Sequence, residues 1–103
     1  MDEQKVIWSK KAKVQLFLIM DYYAERNKSD TYSLKLEREI KLKLSKLDLS
    51  IALPQKTSIL DLFYFTHKHI AVFFVFELNT ITVKFVIDER RNPKRIEKLI
   101  SDF

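Results

Sequence analysis

Three apolar segments in the second half of the chain are joined by very short connections. They cover about residues 59–66, 70–77 and 80–87, with three residues between the first two and two between the last two. A parallel pair of strands needs a crossover of roughly a dozen residues or more, so strands this close together pair antiparallel. The spacing therefore predicts a three-stranded antiparallel meander.

The first half of the chain carries a helical pattern. Residues 5–8 predict a short strand, Ser9 is a candidate N-cap for a helix to about residue 26, and a second helix is predicted over about 31–47. Apolar residues recur at helical spacing in both helices: Ala12, Leu16, Ile19 and Tyr23 in the first, and Leu36, Ile40, Leu44 and Leu47 in the second. The short break at 27–30 predicts an antiparallel helix hairpin.

These elements predict one α+β domain over residues 1–103. Their order is a strand, an antiparallel helix hairpin, a three-stranded antiparallel meander and a short C-terminal helix. Asn92 is the candidate N-cap of that last helix, and Pro93 stands at the first helical position, which proline favours. The segment 48–58 around Pro54 is predicted to be a loop. The chain has no glycine, which excludes a glycine-rich phosphate loop.

Alternation in the last strand predicts which side chains enter the core. Ile81, Val83, Phe85 and Ile87 are expected to face the helices, and the other face is expected to carry Thr82, Lys84, Val86 and Asp88. The first helix also has apolar residues beyond its stripe: Val14, Phe17, Leu18 and Met20. They indicate either a helix buried on two sides, which is the favoured interpretation, or a surface kept for a partner.

Composition limits the class of protein. There is no cysteine, so neither a disulfide framework nor a thiolate metal site is expected, and no motif calls for a cofactor. The acidic start has no apolar segment behind it, and the longest apolar run, 70–76, is too short to cross a bilayer. A cytoplasmic protein without membrane contact is expected. The net charge of +5 fits an anionic partner, or simply a soluble surface.

Positive charge is concentrated where the last strand is expected to meet the terminal helix. Backbone N–H groups at a helix start also favour an anion. The candidate residues for binding a phosphate, a nucleic acid or an acidic peptide are Lys84, Arg90, Arg91, Lys94 and Arg95. Arg90 is the strongest single candidate, because alternation places it on the same face as Lys84.

Other polar residues near this corner have structural interpretations as well as functional ones. Asp88 is expected to pair with Arg90 or Arg91 and to fix the corner together with Asn92 and Pro93. His67 and His69 flank the first hairpin turn, where exposed turn histidines are more typical than a metal or proton-transfer site. No metal site is predicted.

Two stretches of the sequence resemble one family. "VIWSKKAKVQLFLIMDYYAE" resembles the opening of RelE/ParE-type toxins, and "ITVKFVIDERRNPKRI" resembles their last strand with its Asp-x-Arg-x-Asn-Pro ending. The resemblance implies the toxin of a type II toxin–antitoxin system, with growth inhibition by the free toxin and a role in plasmid stabilization. It implies as a partner a cognate antitoxin, part of which wraps the toxin.

The resemblance implies two possible targets. ParE-like members inhibit DNA gyrase, whereas RelE-like members cleave mRNA on the ribosome. Arg90 matches the family's arginine after the last strand and is the candidate catalytic residue for cleavage, with His67, His69 and Tyr64 as weaker candidates. Many RelE-like members carry a His or Tyr close to the C-terminus, and "RIEKLISDF" has neither. This favours the ParE-like branch, with a ribosome-dependent mRNA endonuclease as one alternative and a non-toxic nucleic-acid-binding or scaffold domain as another.

Overall fold

The computed structural model of the chain describes residues 5–47, 55–56 and 62–90. In chain order its elements are β1 (Lys5–Trp8), α1 (Lys10–Asn27), α2 (Thr31–Ser45), β2 (Gln55–Lys56), β3 (Leu62–His67), β4 (Ile70–Glu77) and β5 (Thr80–Asp88). The predicted α+β class is confirmed, as is the order of strand, helix pair and meander. The helix predicted to start at Asn92 and Pro93 lies outside the described residues.

Side-chain and backbone caps define both ends of α1. The Ser9 Oγ accepts the Ala12 N–H at 3.1 Å and donates to the Lys84 carbonyl at 3.1 Å, which ties the start of the helix to β5. At the other end Lys28 adopts the left-handed conformation, with φ of 52°, a position usually given to glycine. This cap reverses the chain within a few residues and allows α2 to begin at Thr31.

The two helices pack as a hairpin through the predicted stripes. All eight stripe residues are buried, from Ala12 in α1 to Leu47 just beyond α2. Between the helices the Ser33 Oγ donates to the Met20 carbonyl at 2.7 Å. Because helical spacing is a local property, the sequence was sufficient to predict this interface.

The sheet has five strands in the order β1-β5-β4-β3-β2. The antiparallel meander β3-β4-β5 is confirmed. Two further strands extend it. β1 pairs parallel with β5, because the helix hairpin is part of the long connection that a parallel pair needs. β2 pairs antiparallel with β3. The prediction that 48–58 is only a loop was therefore wrong at residues 55–56, and the sheet is mixed.

A β-bulge interrupts the pairing of β4 with β5. Phe74 pairs with Val83, whereas the preceding residue Phe73 pairs with Phe85, so Lys84 is an extra residue in β5. A bulge shifts the alternation of side chains beyond it. The β5 side chains after Lys84 therefore point to the face of the sheet opposite to the one that simple alternation predicts.

The bulge corrects the predicted faces of the last strand. Ile81 and Val83 pack against the helices as expected. Phe85 and Ile87 instead join a second apolar cluster on the other face of the sheet, with Leu62, Ala71 and Phe73. Val86 takes their place in the helix-side core. Two residues further on, Asp88 points to the same side, toward the helix hairpin.

Candidate functional site

Four elements meet at one corner of the domain around the carboxylate of Asp88. Tyr23 comes from the C-terminal half of α1, Tyr32 from the first turn of α2, His69 from the β3–β4 turn, and Asp88 from the end of β5. Three of these side chains are buried: Asp88 is 3% exposed, Tyr23 is 4% and His69 is 8%. We call these four residues the Asp88 network.

Hydrogen bonds connect the Asp88 network as a chain. The Tyr23 O–H donates to Asp88 Oδ2 at 2.6 Å, and the His69 Nδ1 lies 3.0 Å from Asp88 Oδ1. The Tyr32 hydroxyl lies 2.8 Å from the His69 Nε2. With an ionised Asp88 accepting from Nδ1, the Nε2 of a neutral ring accepts from the Tyr32 O–H. Carboxylate, imidazole and phenol are thus connected in series.

Burial and hydrogen bonding act in opposite directions on Asp88. Burial by itself raises the pKa of a carboxyl group. Hydrogen bonds from Tyr23, from His69 and from the Arg90 backbone N–H outweigh it, and the pKa of Asp88 lies below its usual value. The carboxylate is therefore ionised at neutral pH and serves as an acceptor at the centre of the network.

The structure corrects two expectations about this corner. Among the described residues, Asp88 forms no ion pair with an arginine side chain, since its partners are Tyr23, His69 and a backbone N–H. His69 is not an exposed turn residue. The register of the β4–β5 pair places Ile70 opposite Asp88, and the Glu89 N–H donates to the His69 carbonyl at 2.8 Å. The bulge then turns the carboxylate toward the imidazole.

Arg90 lies two residues after Asp88, at the edge of this buried network. Its backbone N–H donates to Asp88 Oδ1 at 3.0 Å, while the residue itself is exposed. The guanidinium forms no ion pair with the residues that the structure describes. A fixed backbone and a side chain in solvent suit a cation that binds an external anion.

The other proposed cations do not form one described cluster with Arg90. Lys84 is partly buried at the bulge, six residues earlier in β5, which corresponds to roughly 20 Å along an extended strand. The expectation that alternation places Lys84 beside Arg90 was therefore wrong. Arg91, Lys94 and Arg95 lie outside the described residues, as do Asn92 and Pro93, so their grouping with Arg90 stays a prediction.

The remaining candidate residues have partners elsewhere. His67 is not an exposed turn residue either: its Nε2 lies 2.9 Å from Glu39 Oε1 on α2. Lys68 reaches the same carboxylate at 3.5 Å and lies over the Tyr32 ring at 5.6 Å. The hydrogen bond from His67 lowers the pKa of Glu39. Tyr64 stacks on Phe73 on the opposite face of the sheet, away from His69.

A groove of about 450 Å³ runs between α1 and α2. Its apolar lining includes Phe17, Met20 and Leu34, and the charged residues along it include Asp21 and Lys41. Phe17 is 66% exposed and Leu34 is 54% exposed. The favoured interpretation that the extra apolar residues of the first helix are buried inside the domain was therefore wrong, and the alternative of a partner surface stands.

The described residues, 5–47, 55–56 and 62–90, contain neither a metal-binding cluster nor a membrane-spanning helix. This part of the chain holds no group of three or more His, Cys, Asp or Glu side chains placed to bind a metal ion. None of its helices is long and apolar enough to span a membrane.

Sequence reasoning did not identify the tyrosines or Glu39 as members of a site. The helical stripe predicts Tyr23 only as a core position and gives no role to Tyr32, because helical spacing says nothing about which strand end a hydroxyl reaches. One signal was available in the sequence. β4 and β5 form a hairpin with a two-residue turn, so the start of β4 lies beside the end of β5. His69 stands just before β4 and Asp88 ends β5, and antiparallel pairing therefore brings the two residues together.

Alkaline pH provides a test of the Asp88 network. Burial, together with the hydrogen bond to Asp88 and its negative charge, raises the pKa of Tyr23 to about 12. An unfolded tyrosine titrates near pH 10. Tyr23 therefore stabilises the fold below about pH 10, and this contribution is lost as pH rises toward about 12.

We expect Tyr23→Phe to be less stable than the parent protein at neutral pH and to lose less stability in alkali. Urea unfolding measured from neutral to alkaline pH, with tyrosinate absorbance as a second observable, checks this. Phenylalanine keeps the ring packing and removes only the hydroxyl. Parallel pH–stability curves for the two proteins would contradict the assigned hydrogen bond.

Comparison with known proteins gives a likeness in structure. No protein-family model matches the chain, and no curated protein matches its sequence. The structure is similar to a solved chain described as "Chromosomal ParDE TA system from P. aeruginosa", with a TM-score of 0.66 and 14% sequence identity. The match covers 82% of this chain and 95% of that chain. The chain thus shares the fold of that ParDE chain.

Proposed function

We propose that this protein is the toxin of a type II toxin–antitoxin pair and inhibits growth when it is free of its antitoxin. The observation that carries the proposal is the likeness to a chain of a ParDE toxin–antitoxin system over nearly the full length of that chain. The exposed Arg90 after the last strand, where the family resemblance puts a functional arginine, supports it independently.

Within the family we favour a ParE-like action on DNA gyrase. Cleavage of RNA by its 2′-OH needs a base and an acid that can reach the substrate. The described candidates are engaged inside the domain: His67 with Glu39, and His69 with Asp88 and Tyr32. Tyr64 lies on the far face of the sheet. This leaves Arg90 as a binding cation, with none of the three described candidates, His67, His69 and Tyr64, placed to act beside it as acid or base.

A RelE-like mRNA endonuclease is the second candidate, and one observation favours it. The Asp88 network brings His69 to the strand end that carries Arg90. A proton could then pass between His69 and a substrate only through the Tyr32 hydroxyl, because the imidazole itself is almost fully buried. Ribosome-bound mRNA cleavage by the purified chain separates this candidate from gyrase inhibition.

Induced expression tests the proposal directly. We expect growth arrest that is relieved by co-expression of the product of an adjacent reading frame. Gyrase inhibition should appear as stabilised DNA breaks and lost supercoiling activity, with ribosomal mRNA left uncleaved. Cleaved mRNA with unaffected gyrase would move the assignment to the RelE-like branch. A folded protein with no effect on growth would favour the non-toxic binding domain.

The groove between α1 and α2 is the proposed contact for the antitoxin. Its apolar residues Phe17 and Leu34 are exposed in the isolated chain and would gain most from being covered. The basic corner at Arg90 would take acidic side chains of the same partner.

We expect Leu34→Glu to weaken capture of the adjacent gene product by roughly tenfold or more, because the substitution puts a charge into an apolar contact. Leu42→Glu is the matched control, since Leu42 is similarly exposed on α2 but does not line the groove. Equal capture by the parent and Leu34→Glu proteins would exclude the groove as the contact. Capture of no neighbouring product at all would count against the toxin itself.

A further inference from the structure

The outer face of α1 points away from the core and is both apolar and charged. We define it by the residues opposite the buried stripe: Lys10, Lys11, Val14, Leu18, Asp21, Tyr22 and Glu25. Val14 is 50% exposed, Leu18 is 56% and Tyr22 is 37%. These three recur every four residues and so form one ridge along the helix. An apolar ridge of this kind is typical of a helix that packs against another helix.

The charges on this face are arranged by sign along the helix. Lys10 and Lys11 lie in its first turn, whereas Asp21 and Glu25 lie near its end. Within the part of the chain that the structure describes, neither Lys10 nor Glu25 forms an ion pair. The Nζ of Lys11 lies 5.8 Å from the centre of the Phe85 ring, a cation–π contact within the chain.

We propose that the outer face of α1 binds the same face of a second copy of the chain. Antiparallel packing about a two-fold axis near Leu18 puts Val14 of one copy opposite Tyr22 of the other. The same axis puts Lys10 and Lys11 opposite Glu25 of the second copy. A face that is basic at one end and acidic at the other is complementary to itself in this orientation, as an isologous interface requires. The opposed helix dipoles add to the same preference.

Charge favours a second copy over another occupant. The proposed antitoxin contributes acidic side chains to Arg90, and an acidic segment laid along this face would meet Asp21 and Glu25. The face shares Asp21 with the α1–α2 groove, but its apolar ridge of Val14, Leu18 and Tyr22 does not line that groove. The proposed dimer does not depend on the proposed toxic activity, so an experiment can contradict either proposal without contradicting the other.

Sedimentation equilibrium of the purified full-length chain, without antitoxin, tests the interface. We expect a concentration-dependent monomer–dimer equilibrium that weakens with added salt. Leu18→Glu should raise the dimer dissociation constant by about 30-fold or more, because the axis brings the two new carboxylates together. Leu42→Glu, an equally exposed leucine on α2, should leave the constant unchanged. Circular dichroism checks that both variants are folded.

A charge exchange tests the orientation. Glu25→Lys alone should weaken the dimer about tenfold, and the combination of Glu25→Lys with Lys10→Glu and Lys11→Glu should restore it, since the pairing is recreated with reversed signs. A chain that stays monomeric at all concentrations overturns the proposal. A dimer that Leu18→Glu leaves intact also overturns it. If the chain is monomeric and Leu18→Glu abolishes antitoxin binding, the face belongs to the antitoxin instead.

Discussion

Arg90→Ala is expected to remove most of the growth inhibition while the protein remains folded. The guanidinium is exposed, carries no ion pair among the described residues, and follows a backbone position fixed by the hydrogen bond from its N–H to Asp88. A charge-assisted hydrogen bond contributes about 1.5–3 kcal/mol, so its loss weakens target binding by roughly 10- to 100-fold. Growth curves after induction and circular dichroism of the purified variant give the two measurements.

Matched variants distinguish this effect from a general loss of positive charge. Arg38→Ala removes an exposed arginine from α2 and should leave toxicity unchanged. Arg91→Ala and Lys94→Ala should weaken toxicity less than Arg90→Ala. In the endonuclease alternative, ribosome-bound mRNA cleavage should fall with Arg90→Ala; in the gyrase case the parent protein shows no cleavage. A folded Arg90→Ala variant as toxic as its parent would show that this corner has only a structural role.

Asp88→Ala is expected to be among the most destabilising single substitutions in the described part of the chain. It leaves the Tyr23 O–H, the His69 Nδ1–H and the Arg90 N–H without their acceptor in a site that is almost fully buried. Buried donors that lose a partner cost about 1–3 kcal/mol each. We expect a loss of roughly 3 kcal/mol or more, which lowers the melting temperature by more than about 10 °C for a domain of this size.

Acid titration gives the second signature of the Asp88 site. The folded-state pKa of Asp88 is depressed, so the stability it contributes is present above the unfolded pKa near 4 and is lost as pH falls through the folded value. The parent protein should therefore lose stability in acid more steeply than Asp88→Ala. Arg95→Ala should barely change the melting temperature. Negligible and equal effects of Asp88→Ala and Arg95→Ala would contradict the anchoring role.

The helix pair and the meander were predictable because their signals are local. Buried residues such as Leu36 and Ile40 follow the helical period, and turns as short as Leu78–Asn79 permit only antiparallel pairing. The parallel pairing of β1 with β5 depends on residues more than 70 positions apart, such as Lys5 and Thr80. No pattern within either strand specifies that partner.

The sequence singled out the strand end that carries Asp88 and Arg90, but it did not predict the contacts that Asp88 makes there. Arg90 and Asp88 were identified from the clustering of charge after an apolar strand. Asp88 was expected to meet an arginine because arginines are its neighbours in sequence, yet its partners come from α1 and the β3–β4 turn. The exposure of Phe17 was also mispredicted, since apolar character alone does not distinguish a core residue from a contact surface.

The bulge at Lys84 makes the length of β5 more important than the identity of the residue that lengthens it. Many side chains would be tolerated at this partly buried position, but losing the residue would return Phe85 and Ile87 to the helix side and turn Asp88 away from Tyr23 and His69. In an alignment of related chains, a one-residue gap here would therefore separate proteins that can build the Asp88 network from proteins that cannot, even where every aligned letter of the network is identical.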